Sequence, residues 1–194
     1  MRSREIAEAI SLAFNPAVLA APTFLLLLLT HRTPNLLELM VISLAFGTAV
    51  PLAIVIGLSK KGVIPDFYAS ARESRTLPFL GAILSYILGA IALMRAGSPP
   101  IITAVMLCYF GNSLIMMLVS RRWKISVHTS GVTGPGSALI YSLGLVALPF
   151  PLLAIPVGWA RVKLNAHTLA QVSAGALLTI FTTWIQLIIY LALL

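Results

Sequence analysis

Histidine and arginine residues are concentrated in the short polar stretches that separate the long apolar segments of this chain. In the last of these stretches, His167 follows Arg161 by six positions, and Gln171 follows the histidine by four. Asn165 is a favourable N-cap residue, so the final helix is predicted to begin there, with His167 in its first turn and Gln171 one turn further on the same face. Because the N–H groups at a helix start attract anions, a histidine among arginines there indicates phosphate chemistry.

A second candidate group lies around Ser126 and His128, downstream of Arg121, Arg122 and Lys124. Residues two apart in an extended backbone point to the same side, so Ser126 and His128 are expected to face one site. The glycine-rich run at 130–136 that follows is expected to form a turn before a helix, with a phosphate-binding loop as the alternative.

The two groups resemble the second and third motifs of the type-2 phosphatidic acid phosphatase superfamily. Arg161 and His167 have the spacing of the third motif, Arg-x5-His-x3-Asp, with Gln171 in the position of the aspartate. The stretch from Ser126 to His128 matches the Ser-Gly-His motif, with valine in place of glycine. The separation of His128 from Arg161 also fits the family, and the resemblance covers about residues 60–175.

The family's first motif, which combines lysine and arginine and ends in Arg-Pro, is matched loosely. Lys61 lies eleven residues before Arg72, and the segment from Arg75 to Pro78 stands where Arg-Pro is expected. The match therefore assigns this motif to the first polar stretch, 59–76, but does not settle which lysine takes the family's lysine role: Lys61 and Lys124 both remain candidates.

The resemblance implies a metal-independent lipid phosphatase that needs no cofactor and works through a phosphohistidine. His167 is then the nucleophile and His128 the general acid. The phosphoryl oxygens are held by basic and hydroxyl side chains: Arg72, Arg75, Arg161, Ser126, Lys61 and Lys124. The family's aspartate hydrogen-bonds the nucleophilic histidine. Gln171 can accept that bond but brings no charge, so Asp66 or Glu73 is a candidate to supply one.

Composition assigns the chain to a membrane. Of its 194 residues, 59% are hydrophobic and 9% are charged, and its mean hydropathy is +1.01. A soluble domain carries roughly 25% charged residues, so too few are present to cover a water-exposed surface. We therefore predict a single all-α domain, 1–194, built as a polytopic transmembrane helix bundle. The net charge of +8 then fits lipid headgroups or an anionic substrate, and we expect no nucleic-acid partner.

Six apolar segments are long enough to span a bilayer, which needs about 20 residues per helix. They are Ile10–Thr30, Leu36–Leu58, Leu77–Met94, Ile101–Val119, Ser137–Ala160 and Thr168–Leu194. The fifth contains three prolines and is either one kinked span or two short helices joined at Pro149–Pro151, which gives six or seven helices. With two helices, eleven basic residues fall on one side against two on the other, which indicates a cytoplasmic side.

Two other functions remain as alternatives. An intramembrane prenyltransferase binds diphosphate through magnesium and two aspartate-rich motifs, whereas the chain has five acidic residues without a dense cluster. A non-catalytic transporter or scaffold that retains the fold would explain Gln171. The leading expectation is a hydrolase for an isoprenoid or glycerolipid phosphate or diphosphate. The sequence separates neither these substrates nor the oligomeric states.

Overall fold

A computed structural model describes residues 2–31, 33–65 and 72–194, apart from the side chains of Ala17 and Arg72. Within these ranges the chain forms helices and turns, and no strand. The helices are α1 (Arg2–Ala13), α2 (Pro16–Thr30), α3 (Leu36–Leu44), α4 (Val50–Lys60), α5 (Thr76–Arg95), α6 (Pro100–Ser120), α7 (Val127–Leu143), α8 (Pro149–Leu152), α9 (Ala154–Lys163) and α10 (Leu169–Leu193).

The bundle is an integral, multi-pass membrane protein. Among the described residues, four helical stretches are long and apolar enough to cross a membrane, and one of them joins α3 to α4 through a π-helical turn at Ala45–Ala49. Two bent helix pairs raise the number to six if each pair is one span. The predicted all-α polytopic bundle is therefore confirmed, with four to six candidate spans against the six or seven expected.

The first apolar segment, Ile10–Thr30, is not one continuous helix, because it contains the end of α1 and the whole of α2. The axes of α1 and α2 differ by 52° across a break before Pro16. Proline lacks an N–H and is favoured in the first position of a helix, so Pro16 starts α2 instead of bending a longer helix. Pro22 lies inside α2 without ending it.

The fifth apolar segment reverses direction, as the two-helix alternative requires. The stretch containing α7 is bent by 111° against the stretch containing α9. The break begins at Gly144, whose φ of 78° is a conformation that glycine adopts without strain, and continues to Pro149. This reversal brings the end of α9 back towards the beginning of α7, so Arg161 and His128 line the same cavity.

The glycine-rich run at 130–136 lies inside α7, so both expectations of a loop there are wrong. A Cβ atom on Gly131 would lie 2.7 Å from Pro16, and one on Gly136 would lie 2.7 Å from Pro151. Small residues are enriched where membrane helices approach closely. The glycines therefore serve helix packing, and Ser126 starts the helix before them.

Hydroxyl groups on α7 bind backbone carbonyls along α10. Thr129 Oγ1 donates to the carbonyl of Val172 at 2.9 Å, and Ser130 Oγ donates to that of Gly175 at 3.1 Å. The N–H of Ser126 also donates to the carbonyl of Gln171. Gly175 permits this approach, because a Cβ atom there would lie 2.5 Å from the carbonyl oxygen of Ser126. We call these contacts the α7–α10 seam.

We expect Gly175→Ala to destabilise the protein by about 1–3 kcal/mol, because the added methyl group must push backbone atoms apart. Gly158→Ala is the matched control, since its Cβ would meet neighbours at 3.7 Å, an ordinary contact distance. Alanine also favours a helix over glycine by roughly 0.5–1 kcal/mol, so the control should be neutral or stabilised. Thermal unfolding in detergent compares the two variants. Equal unfolding midpoints would contradict the close approach of α7 and α10 at Gly175.

Candidate active site

His167 lies in the turn between α9 and α10, one residue before the helix cap, and not in the first helical turn as predicted. Thr168 is the cap: its hydroxyl accepts from the N–H of Gln171, and Gln171 Oε1 accepts from the N–H of Thr168. The expected cap at Asn165 is wrong, because Asn165 has φ of 54° and follows the end of α9. The missed signal is the Thr-x-x-Gln capping box, which satisfies two backbone groups at once.

The ring of His167 is held in one tautomer. Its Nδ1 atom lies 3.1 Å from the carbonyl oxygen of Lys124 and 3.2 Å from Gln171 Oε1. The carbonyl can only accept, and the N–H of Thr168 fixes the glutamine oxygen as an acceptor as well. Nδ1 therefore carries the proton, and the lone pair lies on Nε2. In this tautomer Gln171 Oε1 accepts a hydrogen bond from Nδ1 of His167.

Burial and positive charge keep His167 neutral. Its side chain is 6% exposed. Burial, followed by the charges of Arg75 and Arg161, lowers its pKa to about 4, while the hydrogen bonds to Gln171 and Lys124 act in the opposite direction. At neutral pH the ring is therefore an uncharged base with an available lone pair on Nε2.

Ser126 and His128 stand at the start of α7. Ser126 is its N-cap and accepts from the N–H of Thr129 at 3.4 Å. His128 is thus in the first helical turn, and the extended pair expected from the sequence is wrong because the helix begins between the two residues. The side-chain oxygen of Ser126 therefore serves as the N-cap of α7. His128 is buried, hydrogen-bonds a backbone group of Ser11, and lies within electrostatic range of His167.

Arg75 and Arg161 are both buried beside these histidines, each 5% exposed. Arg75 Nη1 donates to the carbonyl of Ile125 at 2.9 Å, and Arg161 Nη1 donates to Ser11 Oγ at 3.2 Å. These bonds orient both guanidinium groups. Ser11, on α1, was missed in the sequence because nothing local marks a serine in an N-terminal helix as the partner of a residue 150 positions away.

His128, His167, Arg75 and Arg161 form the cluster at the candidate site, and not all of the other predicted site residues lie near it. Lys61 is exposed at the end of α4 and is absent from the described cavity linings. Lys124 contributes its backbone carbonyl to His167. The backbone of Arg72 opens a short 3₁₀ turn, Arg72–Arg75, but its side chain is not described, and Asp66 lies outside the described residues.

A cavity of about 190 Å³ extends from this cluster into the bundle. Arg75, His128 and Arg161 line it where α5 and α7 begin and α9 ends. Further into the bundle, along α5, α6 and α7, the lining is mainly apolar and aromatic, for example Phe79, Tyr86, Val105, Tyr109 and Ala138. The cavity is therefore polar and cationic at one end and suited to a hydrocarbon chain along the rest.

No family model, no curated protein and no solved structure matches this chain. Within the part of the chain that the structure describes, no group of three or more His, Cys, Asp or Glu side chains could hold a metal ion.

We expect His167 to titrate near pH 4 in the folded protein, against an ordinary value of about 6.5. As the pH falls through this window the unfolded chain binds the proton first, so folding stability should fall between about pH 6.5 and pH 4. Gln171→Glu keeps the capping box and adds a negative charge, which should raise the pKa. Gln171→Met removes the acceptor and should lower it. Imidazole ¹⁵N chemical shifts report both the pKa and the tautomer of His167. Identical titration curves in the two variants would contradict the contact between Gln171 and His167.

Proposed function

We propose that this protein is a membrane lipid phosphatase related to the type-2 phosphatidic acid phosphatase superfamily. One observation carries the proposal: His167, a neutral histidine with its Nε2 lone pair available, lies within electrostatic range of His128, Arg75 and Arg161. Those three side chains line the polar end of an apolar cavity, which His167 itself does not line. Phosphoryl transfer requires a nucleophile, positive charge around the phosphoryl oxygens and a proton donor for the leaving group, and these side chains supply all three.

In the first step, Nε2 of His167 attacks the phosphorus of the substrate. The P–N bond forms as the bond between phosphorus and the leaving oxygen breaks. Nδ1 keeps its proton throughout, because the Lys124 carbonyl and Gln171 Oε1 both accept from it. These acceptors also stabilise the positive charge that develops on the ring when Nε2 bonds phosphorus.

His128 protonates the leaving oxygen, and the dephosphorylated lipid departs. In the second step a water molecule attacks the phosphohistidine, His128 takes its proton, and the P–N bond breaks to give inorganic phosphate and free His167. The bound phosphate is negatively charged and therefore stabilises the protonated form of His128, which is the form that can donate a proton. The position of His128 in the first turn of α7 also brings N–H groups of a helix start near the anion.

Arg75 and Arg161 hold the phosphoryl oxygens. A guanidinium has five N–H donors in a rigid fork, and bonds to the Ile125 carbonyl and the Ser11 hydroxyl help to orient Arg75 and Arg161 in the cavity wall. Charge-assisted bonds of this kind, made in a buried site, stabilise the transition state strongly because little water competes.

The apolar part of the cavity accommodates the hydrocarbon tail of the substrate. A lipid phosphate whose tail enters the bundle and whose phosphate reaches the arginines fits the change in lining along the cavity. Isoprenoid and glycerolipid phosphates or diphosphates share this chemistry. The site lies where helices begin and end, so we propose a reaction at the membrane–water boundary, and the excess of basic residues favours its cytoplasmic side.

We expect the purified protein to release phosphate from a lipid phosphate in the presence of EDTA, and His167→Gln to lower that rate at least about 10³-fold. Brief incubation with ³²P-labelled lipid should label the wild-type protein through an acid-labile bond. His128→Gln should slow turnover while His167 can still be labelled, because it removes the proton donor and not the nucleophile.

His31→Gln is the matched control for both variants. His31 follows the end of α2, is exposed, and hydrogen-bonds Ser142 at the end of α7 remote from His128. Its replacement should leave the rate unchanged. If phosphate release is absent from every lipid tested, or is equal in wild type and His167→Gln, the phosphatase proposal is wrong and a non-catalytic membrane protein becomes the better interpretation.

Filling the cavity should select against long substrates. Ala82 lines it on α5, so Ala82→Phe should raise the KM for a long-chain lipid phosphate about tenfold or more, while a water-soluble aryl phosphate should be affected little. Leu84→Phe, on the same helix but 59% exposed, is the control and should change neither substrate. An equal effect of Ala82→Phe on both substrates would show that the tail does not occupy this space.

A further inference from the structure

A second cavity, of about 180 Å³, lies between the beginning of α5 and the end of α6. Arg75 and Phe79 belong to the linings of both cavities, so these two side chains form a shared wall. Neither histidine of the cluster nor Arg161 lines the second cavity. It is therefore a separate space that borders the site already described.

Ser120 is the most informative residue in this second cavity. Its side chain is 3% exposed, and its hydroxyl has no hydrogen-bond partner among the residues that the structure describes. A buried hydroxyl that makes no hydrogen bond costs free energy, and the large majority of buried polar groups are satisfied. A polar ligand in the cavity that this hydroxyl lines would remove the cost.

The other polar groups around the cavity favour an anion. Arg75 is buried in its wall, and Arg121 is exposed on its lining. Thr76 begins the 20-residue helix α5 directly after the 3₁₀ turn Arg72–Arg75, and residues of this helix end line the cavity. The positive end of a helix dipole favours negative charge. Glu73 also lines the cavity, and its carboxylate opposes an anion, so its replacement tests the sign of the preference.

We propose that this cavity is a second oxyanion site that binds a phosphate group through Ser120, Arg75, Thr76 and Arg121. The group is either inorganic phosphate or the phosphate of an anionic lipid headgroup, because both present the same oxygens. The proposal concerns binding and does not depend on catalysis by His167. If the hydrolase proposal also holds, the shared Arg75 joins the reacting position to a site for departing phosphate.

The test is equilibrium binding of ³²P-labelled inorganic phosphate to the full chain in neutral detergent. The wild-type protein should bind phosphate at this site, and Ser120→Ala should weaken that binding about tenfold, as expected for a lost hydrogen bond to a charged ligand. Arg121→Gln should also weaken it, and Glu73→Gln should strengthen it. Because no variant alters a histidine, failure of the hydrolase proposal would leave these results interpretable.

Two control variants test whether the loss of phosphate affinity is specific to the second cavity. Ser43→Ala removes another buried serine hydroxyl without a partner in the described chain, but Ser43 lines neither cavity. Arg122→Gln removes a neighbouring exposed cation outside both linings. Both should retain wild-type affinity. The proposal is overturned if Ser120→Ala binds phosphate like wild type, or if the controls lose as much affinity as the test variants.

Nanodiscs distinguish the two sources of phosphate. If phosphatidylglycerol suppresses phosphate binding in the wild type and Ser120→Ala abolishes that competition, the occupant is a lipid headgroup. If phosphatidylglycerol has no effect compared with phosphatidylcholine while the Ser120 dependence persists, the occupant is inorganic phosphate. Either result supports the site.

Discussion

The hydrogen bonds between α7 and α10 are the constraint on which the rest of the site depends. Thr129, Ser130 and Thr133 each donate a side-chain hydroxyl to a carbonyl of α10, at Val172, Gly175 and Ala176. Polar side chains are costly in lipid unless they are satisfied, and small residues let the helices approach closely enough for these bonds. The seam fixes the start of α7 against the start of α10, and those two starts carry His128 and His167.

The buried arginines impose a second requirement. Removing two cations from water is expensive, and the Ile125 carbonyl and the Ser11 hydroxyl each accept a hydrogen bond from one of the guanidinium groups. A bound phosphate would offset part of that cost for both groups at once. Burial and these same two charges lower the pKa of His167, so the arginines that attract an anion also help to keep the ring unprotonated. Attraction for an anion and a neutral His167 therefore depend in part on the same two groups.

Composition predicts the helical membrane class, and the resemblance to the phosphatase motifs predicts that His128, His167 and Arg161 share a site. The sequence could not decide how 137–160 folds, because proline can kink one apolar span or separate two. That decision required the reversal at Gly144 and the packing of Gly136 on Pro151. The start of α10 was misplaced because both Asn165 and Thr168 suit a cap, and only the reciprocal bonds with Gln171 distinguish them. The contact of Ser11 with Arg161 is long-range and has no local signal.

Gln171 shows how one neutral side chain can satisfy two demands. Its oxygen accepts from the Thr168 N–H, which completes the cap of α10, and lies 3.2 Å from Nδ1 of His167. A carboxylate there would stabilise the charged imidazole better, but it would also raise the pKa of the ring and so favour protonation of Nε2. The amide keeps the tautomer and omits the charge, while the Lys124 carbonyl supplies a second neutral acceptor. Orientation, burial and the two nearby arginines thus leave the ring neutral, with its lone pair on Nε2.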